Sequence, residues 1–455
     1  MSCHRFQNDA VSYFPSLPKG WREERIHDVA ELRTSNVDKK SDEGEMPVRL
    51  CNYVDVYKNE KISMSLNFME ATATEAQIER FALQVGDVVI TKDSETPDDI
   101  GVAALIKETA PDLVCGYHLT ILRPKTAEIA GGYLLYALAS RLSAYQFYLA
   151  ANGVTRFGLT YQGTKNVSIA FPPLSEQRQI ASFLDWKTMQ IDALIAKKQQ
   201  LIEKLQEQRI AVITQAVTKG LNPDAPMRDS GIPWLDCVPE AWKLRKLRFI
   251  FEFGRGLGIT KANLLDSGIP CVNYGEIHSK FGFEVIPEKH DLKFVSEEYL
   301  ESGTKSLLSY GDFVFADTSE DIEGSGNFAY LNSETPTFAG YHTITAKPLE
   351  ENNPRYLAYL FDSPAFRHQI RKNISGVKVF SITQGLLKSC SAWLPEFDEQ
   401  AEIVDCLDLK CGKMDRIALC CQSAIEKLTE YRAAIITAAT TGKIDVRQIQ
   451  ISPVT

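Results

Sequence analysis

From residue 397 onward, apolar side chains return at alternating intervals of three and four. Ile403, Ile417, Ala424, Tyr431 and Ala438 fall on one line, broken by Lys410, and Leu407, Met414, Cys421, Leu428 and Ile435 fall on a second. Two such lines predict a helix with an a/d seam about five heptads long. A looser copy precedes it. Ile180, Leu194 and Leu201 share one line and Leu184, Ile191, Leu205 and Val212 the other, with Lys187, Lys198 and Gln208 as interruptions. A helix of about 44 residues reaches roughly 65 Å. Pro172, Pro173 and Pro395 punctuate the approaches, Ser175 and Asp398 are the expected N-caps, and KGLNPDAP (219–226) supplies the Gly and Pro that stop the first helix.

The segments before each long helix carry a different pattern. Short apolar runs at 87–91, 119–123 and 312–316, separated by Gly and Asp, predict strands. YLLYALASRLSAYQFYL (133–149) predicts one helix, and a counterpart starts at Asn353, with Asn as cap and Pro354 in the first helical position.

The chain also repeats itself. FPPLSEQRQIASFLD (171–185) and LPEFDEQAEIVDCLD (394–408) are nearly one phrase, about 223 residues apart. The match extends downstream, where Asp185, Asp192, Lys204, Leu205, Arg209 and Ile213 fall on Asp408, Asp415, Lys427, Leu428, Arg432 and Ile436. Upstream, GYHLT (116–120) meets GYHTI (340–344), VGDVVI (85–90) meets YGDFVF (310–315), Asn52-Tyr53 meets Asn273-Tyr274, and LPKGWREERI (17–26) meets VPEAWKLRKL (238–247). The chain therefore reads as a tandem duplication. Its segments are a globular domain over 1–174, a long helix over 175–220, a second globular domain over 221–396, and a second long helix with its tail over 397–455. The expected fold is mixed α/β: two globular domains joined by two long helices that pair as an antiparallel coiled coil, with a pseudo-twofold axis. Packing of each helix on its own domain alone is the alternative.

Composition narrows the class. Net charge is −9, which argues against a whole-surface polyanion binder but leaves room for a local basic face. No apolar run approaches the roughly 20 residues of a membrane helix. MSCHRFQNDA lacks the basic and apolar regions of a secretory signal, so a cytoplasmic location is expected. The ten cysteines include no C-x-x-C pair, and Cys406, Cys411, Cys420 and Cys421 share one helix, so free thiols are expected rather than a metal site.

Catalytic patterns are missing. FGRGLG (253–258) lacks the spacing of a dinucleotide or P-loop fingerprint and reads as a turn after a strand. TTGK (440–443) reads as a helix C-cap, and Asn353-Pro354-Arg355-Tyr356 lacks the second Pro of an amino-methyltransferase motif. His118 and His342 recur in Gly-Tyr-His and read as structural histidines. Basic residues cluster at Lys243, Arg245, Lys246 and Arg248, and at Arg367, His368, Arg371, Lys372 and Lys378. The first repeat offers Arg141, Arg156 and Lys165, with Tyr161 and Gln162 among them. A charge run is most often a solvated face. These lie in the globular halves beside side chains that read base edges or stack. The candidate nucleic-acid-binding set is Arg156, Tyr161, Gln162, Lys165, Arg255, Lys261, Arg371, Lys372, Lys378 and Gln384.

Ordered phrases now carry a likeness. A Pro-Pro-Leu-x-Glu-Gln or Leu-Pro-x-x-x-Glu-Gln phrase opens each long helix. Ile191-Asp192 or Met414-Asp415 follows, then Glu-Lys-Leu, then Thr-Lys-Gly-Leu or Thr-Gly-Lys-Ile-Asp-Val. Pro-x-x-Trp opens each globular unit at Pro18 and Pro239. Over nearly its whole length the chain resembles the specificity subunit of type I restriction-modification systems. The resemblance implies two target recognition domains, each reading half of a bipartite double-stranded DNA site, and a coiled coil that sets the gap. It implies two docked copies of a DNA methyltransferase subunit and a motor-endonuclease restriction subunit. It implies no catalytic residue, metal or cofactor in this chain; S-adenosylmethionine, ATP and magnesium are expected in the partners. A non-catalytic adaptor with two protein-binding heads, and a self-sufficient methyltransferase, are the competing classes.

Overall fold

The computed structural model describes residues 12–125, 128–374 and 379–449. Two compact units divide the chain, one of Met1–Lys198 with Gln422–Thr455, the other of Gln199–Cys421. Each takes half of both long helices, Leu174–Lys219 and Phe397–Thr440.

In the first unit a five-stranded sheet runs in the order Ala30–Thr34, Leu119–Pro124, Val88–Thr91, Ala103–Ile106, Lys61–Ile62, antiparallel except at the last pair. The second unit repeats that order with Phe251–Arg255, Thr343–Pro348, Phe313–Ala316, Phe328–Leu331 and Phe283–Val285, again parallel only at the last pair. The VVIT and FVFA strands are buried along their whole length, so both faces of the sheet are covered, as unbroken apolar runs require. A second sheet packs beside each: Met69–Ala73, Met46–Cys51 and Leu113–Cys115 in the first unit, and Lys293–Val295, Ile269–Val272, Thr337–Ala339 and Leu307–Leu308 in the second.

The stretch expected as one helix over 133–149 is two, Gly131–Leu138 and Arg141–Ala150. Ser140 breaks it, because its backbone is extended and its hydroxyl accepts from the Ser143 N–H. Ser363 does the same between Pro354–Asp362 and Pro364–Arg371. Asn353 caps as expected, accepting from the Arg355 and Tyr356 N–H groups. Ser175 and Asp398 do not cap. The long helices start one residue before each of them, and the first-turn bonds run to the Pro173 and Glu396 carbonyls.

The repeated phrase is a clamp. Gln177 is buried; its carbonyl accepts from the Ala130 N–H at 2.9 Å and its amide donates to the Glu128 and Pro172 carbonyls. Gln400 accepts from the Asn353 N–H at 2.8 Å and donates to Asn352 Oδ1 and the Pro395 carbonyl. Glu176 and Glu399 accept from the indoles of Trp21 and Trp242. Tyr133 and Tyr356 donate to the Ala170 and Trp393 carbonyls, and Tyr136 and Tyr359 to Asp185 and Asp408. Burial holds all four phenols above their ordinary pKa, so they act as neutral donors. Gly220 and Gly442 end the long helices in the left-handed region, at φ +75° and +72°. In the first unit Gly442 lies against Trp21, whose indole binds Glu176; in the second, Gly220 lies against Trp242 and Glu399. Within each unit the end of one long helix thus packs beside the start of the other, as antiparallel pairing requires.

Ile180 and Ile403 are buried on the expected line, but beyond them one line of the predicted seam is displaced by a residue. Leu407, Cys421 and Ile435 are buried on the expected line. The other inner line is Cys411, Ala418, Ile425, Arg432 and Ala439, while Lys410, Ile417 and Tyr431 are exposed. The first helix shifts identically. Thr188, Ile195, Ile202, Arg209 and Ala216 replace Lys187, Leu194, Leu201 and Gln208, and Leu194 and Leu201 are 48% and 42% exposed. Apolar identity was nearly tied between the two lines. The observed one brings two arginines to carboxylates: Arg432 bonds Asp192 and Glu60 in the first unit, and Arg209 pairs with Asp415 and Asp362 in the second. The interrupting Lys187 instead places its ammonium 5.7 Å from the ring centroids of both Trp186 and Tyr431. No described helix is long and apolar enough to cross a membrane.

Candidate nucleic-acid interface

In the first unit three segments meet beyond the strand Val88–Thr91. The Lys92 N–H donates to the His118 carbonyl at 3.0 Å, and the Leu159 N–H to the Lys92 carbonyl at 2.7 Å. Asp93–Ser94 pairs with Phe157–Leu159, which pairs in turn with Ala151–Gly153. The next residue, Thr160, caps the short helix Tyr161–Lys165 through its hydroxyl. His118 Nδ1 lies 2.8 Å from Asp93 Oδ2, and the Tyr117 ring lies against the imidazole with centroids 3.6 Å apart.

The second unit builds the same junction with other side chains. The Asp317 N–H donates to the His342 carbonyl at 3.1 Å, and the Ile382 N–H to the Asp317 carbonyl at 2.8 Å. Thr318–Ser319 pairs with Phe380–Ser381, and Thr383 caps Gln384–Ser389. His342 Nδ1 lies 3.3 Å from Asp317 Oδ1, with His342 at φ +55°. By backbone bonding Lys92 is equivalent to Asp317. The carboxylate that holds the imidazole is therefore one residue further along in the first unit than in the second.

Several candidate residues gather at these junctions. Arg156 is exposed in the turn between Ala151–Gly153 and Phe157–Leu159, and Tyr161 and Gln162 are exposed in the first turn of the short helix. The Lys165 ammonium is 6.0 Å from the Tyr161 ring centroid, and its carbonyl faces His27 Nδ1 at 2.9 Å. In the second unit Arg255 is exposed at the end of the strand that pairs with Ile344, and the Gln384 amide donates to the Gly254 carbonyl at 2.8 Å. FGRGLG is thus a strand end and its following turn. A Cβ on Gly256 would lie 1.9 Å from the Gly340 oxygen, so this glycine serves close packing rather than a phosphate cradle.

Others lie elsewhere. Lys261 is exposed in the separate turn Lys261–Asn263. Arg371 donates to the Glu323 carbonyl at 2.6 Å, and the Lys372 ammonium sits 5.4 Å from the Trp234 ring centroid. Lys378 lies outside the described residues. Lys243 and Arg245 face Glu396 and Glu350, and Lys246 donates to the Ser389 carbonyl. The two histidines, read from the sequence as structural, also stand at these junctions; their repetition in Gly-Tyr-His is the signal that links them. They are not enclosed, with 25% and 57% of the side chains of His118 and His342 exposed.

Comparison with known proteins bears on the whole chain. The domain described as the type I restriction modification DNA specificity domain matches residues 18–207 and again 239–409. The MjaVIII type I restriction enzyme specificity subunit of Methanocaldococcus jannaschii is 23% identical over 320 residues, covering 70% of this chain and 71% of that protein. The EcoKI type I restriction enzyme specificity subunit of Escherichia coli is 25% identical over 371 residues, covering 79% and 75%. A solved chain from a study of complex assembly and conformational transition in the type I R-M system superposes with a TM-score of 0.69 at 17% identity, over 94% of this chain and 100% of that one. This last likeness is one of fold.

Proposed function

The chain belongs to the type I restriction-modification DNA specificity family as a subunit with two specificity domains, and from that premise we propose how it divides the reading of DNA. The domains at 1–174 and 221–396 each read one half of a bipartite double-stranded target. The helical segments at 175–220 and 397–455 set the gap and dock two methyltransferase subunits. A motor-endonuclease subunit joins for cleavage. Catalysis, with S-adenosylmethionine, ATP and magnesium, belongs to those partners, and this chain is the non-catalytic member.

The observation that carries this reading is the duplicated junction. Each unit offers the same backbone frame, with a Thr-capped helix beside a Gly-Tyr-His turn, but fills it with different side chains. Two readers of one build and unlike surfaces suit a split, asymmetric target. Tyr161 offers a face for stacking and Gln162 the donor and acceptor that match adenine N7 and N6. The Gln384 amide holds Gly254, and among the described residues its carbonyl has no hydrogen-bond partner. Arg156 and Arg255 supply the forks that fit guanine or phosphate. Lys165, Lys261, Arg371, Lys372 and Lys378 complete the set as phosphate contacts, which position without specifying.

The test is a methylation map. The chain is co-expressed with its methyltransferase in a host free of other adenine methylation, and modified adenines are located by sequencing. A split motif with a fixed gap, lost when this chain is omitted, is the expected result. A soluble complex that methylates nothing would favour the adaptor with two protein-binding heads.

A further inference from the structure

We propose that His118 and His342 are the equivalent base-reading residues of the two recognition domains, each oriented by a carboxylate; this rests on the function proposed above. Four observations lead there. Both histidines occupy one place in the fold: each carbonyl accepts from the N–H of the strand-end residue, Lys92 or Asp317, and that residue's own carbonyl accepts from the segment that leads into the short helix. Both have Nδ1 engaged by an aspartate, at 2.8 and 3.3 Å, and among the described residues neither Nε2 has a protein partner. A carboxylate on Nδ1 fixes the proton there and the ring's direction, so Nε2 is presented outward as a defined hydrogen-bonding atom. Finally, His342 holds a left-handed backbone at φ +55°, a conformation uncommon for a residue with a side chain.

The third partner in the argument is the carboxylate itself. It comes from Asp93 in one unit and from the position equivalent to Lys92 in the other, Asp317. Simple inheritance from a common repeat would keep the aspartate in register. Instead the acid has moved by one residue while the imidazole has kept one. Stability does not account for this. A half-exposed pair contributes little to folding, and a histidine kept only for support would be enclosed rather than 57% exposed like His342. The neighbours point to reading instead. Tyr161 and Gln162 follow Leu159 by two and three residues, and Gln384 follows Ile382 by two, on the segments bonded to the same strand-end residues, Lys92 and Asp317, that hold these histidines. Neutral, Nε2 accepts from the exocyclic amine of cytosine or adenine; protonated, it donates to guanine N7 or O6.

The experiment uses the complex of this chain with its methyltransferase, carrying His118→Asn or His342→Asn. Asparagine keeps a donor for the aspartate and removes the outward nitrogen. Modified-adenine maps and melting curves are recorded for both variants and the parent. The expected result is relaxed choice at one base pair of one half-site for His118→Asn and of the other half-site for His342→Asn. Discrimination there falls by about tenfold or more, with parental melting temperatures. An unchanged motif at the parental rate overturns the assignment. So does methylation slowed alike at every site, which marks a phosphate contact, and so does a loss that tracks a lowered melting temperature, which marks structural support. A parent complex that yields a split motif while both variants match it removes the histidines alone. A parent with no split motif removes the larger reading, and the histidines with it.

Discussion

The base of each unit, where the repeated phrase clamps the long helix, and its junction at the Gly-Tyr-His turn were copied by different rules. At the base, the duplication holds almost atom for atom. Gln177 and Gln400 share two of their three hydrogen bonds and differ only in the third, which goes to the Glu128 carbonyl in one unit and to Asn352 Oδ1 in the other; Glu176 and Glu399 take equivalent indoles, and Asp185 and Asp408 equivalent phenols. At the junction the backbone bonds, the threonine caps and the aspartate-held histidine persist, while Lys92 stands where Asp317 does and Tyr161 where Gln384 does. Buried polar groups explain the first rule, because each unsatisfied donor or acceptor left behind by a substitution costs about 1–3 kcal/mol. Exposed side chains on a fixed frame explain the second, because there a change of identity alters what is touched and scarcely alters stability.

The largest test of the contrast lies where the base itself is asymmetric. Ala170 in the first unit is equivalent to Trp393 in the second, since Tyr133 and Tyr356 donate to their carbonyls. Trp393 is fully buried and its indole donates to the Val217 carbonyl. Trp393→Ala copies the first unit's residue into a surround built for an indole, and is expected to cost about 3–5 kcal/mol in urea unfolding. A cost below about 1 kcal/mol would mean that the second unit's base is as tolerant as its edge.

Next come the clamp glutamines. Gln177→Leu and Gln400→Leu each strand a part-buried backbone N–H, of Ala130 and Asn353, together with the carbonyls the buried amide served, and are expected to cost about 1–3 kcal/mol apiece. Because the two clamps match, the costs should agree within about 0.5 kcal/mol. A twofold disparity between the variants would break the claim that the base is one device used twice.

A smaller effect checks the helix register. Ile195→Asn on the inner line should cost about 1–2 kcal/mol, and Leu194→Asn on the exposed line under about 0.5. The opposite order would restore the line read from the sequence. That misreading shows what the sequence could and could not carry. The repeat, the two long helices, the Asn353 cap and the C-terminal glycines were legible because each rests on local chemistry. The choice between Leu194 and Ile195, or between Tyr431 and Arg432, was not. Both lines flank the Leu184 and Leu407 lines with similar apolarity, and the decision falls to Arg209 and Arg432, whose carboxylates lie far away in sequence. The split of 133–149 at Ser140 was hidden for a related reason, since a serine inside an apolar stretch reads as an ordinary helix residue until its hydroxyl is seen on Ser143. At the candidate interface, residue types pointed to Tyr161, Gln162, Arg156 and Gln384, but the pairing of Asp93 with Phe157–Leu159 that brings them to the Gly-Tyr-His turn is a long-range event.

The smallest expected change in stability is at the edge, and there it is the DNA readout that should move. Tyr161 is 55% exposed, with the Lys165 ammonium 6.0 Å from its ring centroid, so Tyr161→Ala should alter stability by less than about 0.5 kcal/mol. Gln384→Ala loses the bond to the Gly254 carbonyl and should cost somewhat more, about 0.5–1.5 kcal/mol. On the proposed function each variant shifts the methylation motif in one half-site and leaves the other as in the parent, and the half changed by Tyr161→Ala differs from that changed by Gln384→Ala. Melting curves and modified-adenine maps on the same preparations separate the two quantities. Were Tyr161→Ala to destabilise the first unit as strongly as Gln177→Leu does, the edge would be part of the base, and freedom at the edge could no longer explain why the two copies diverged there.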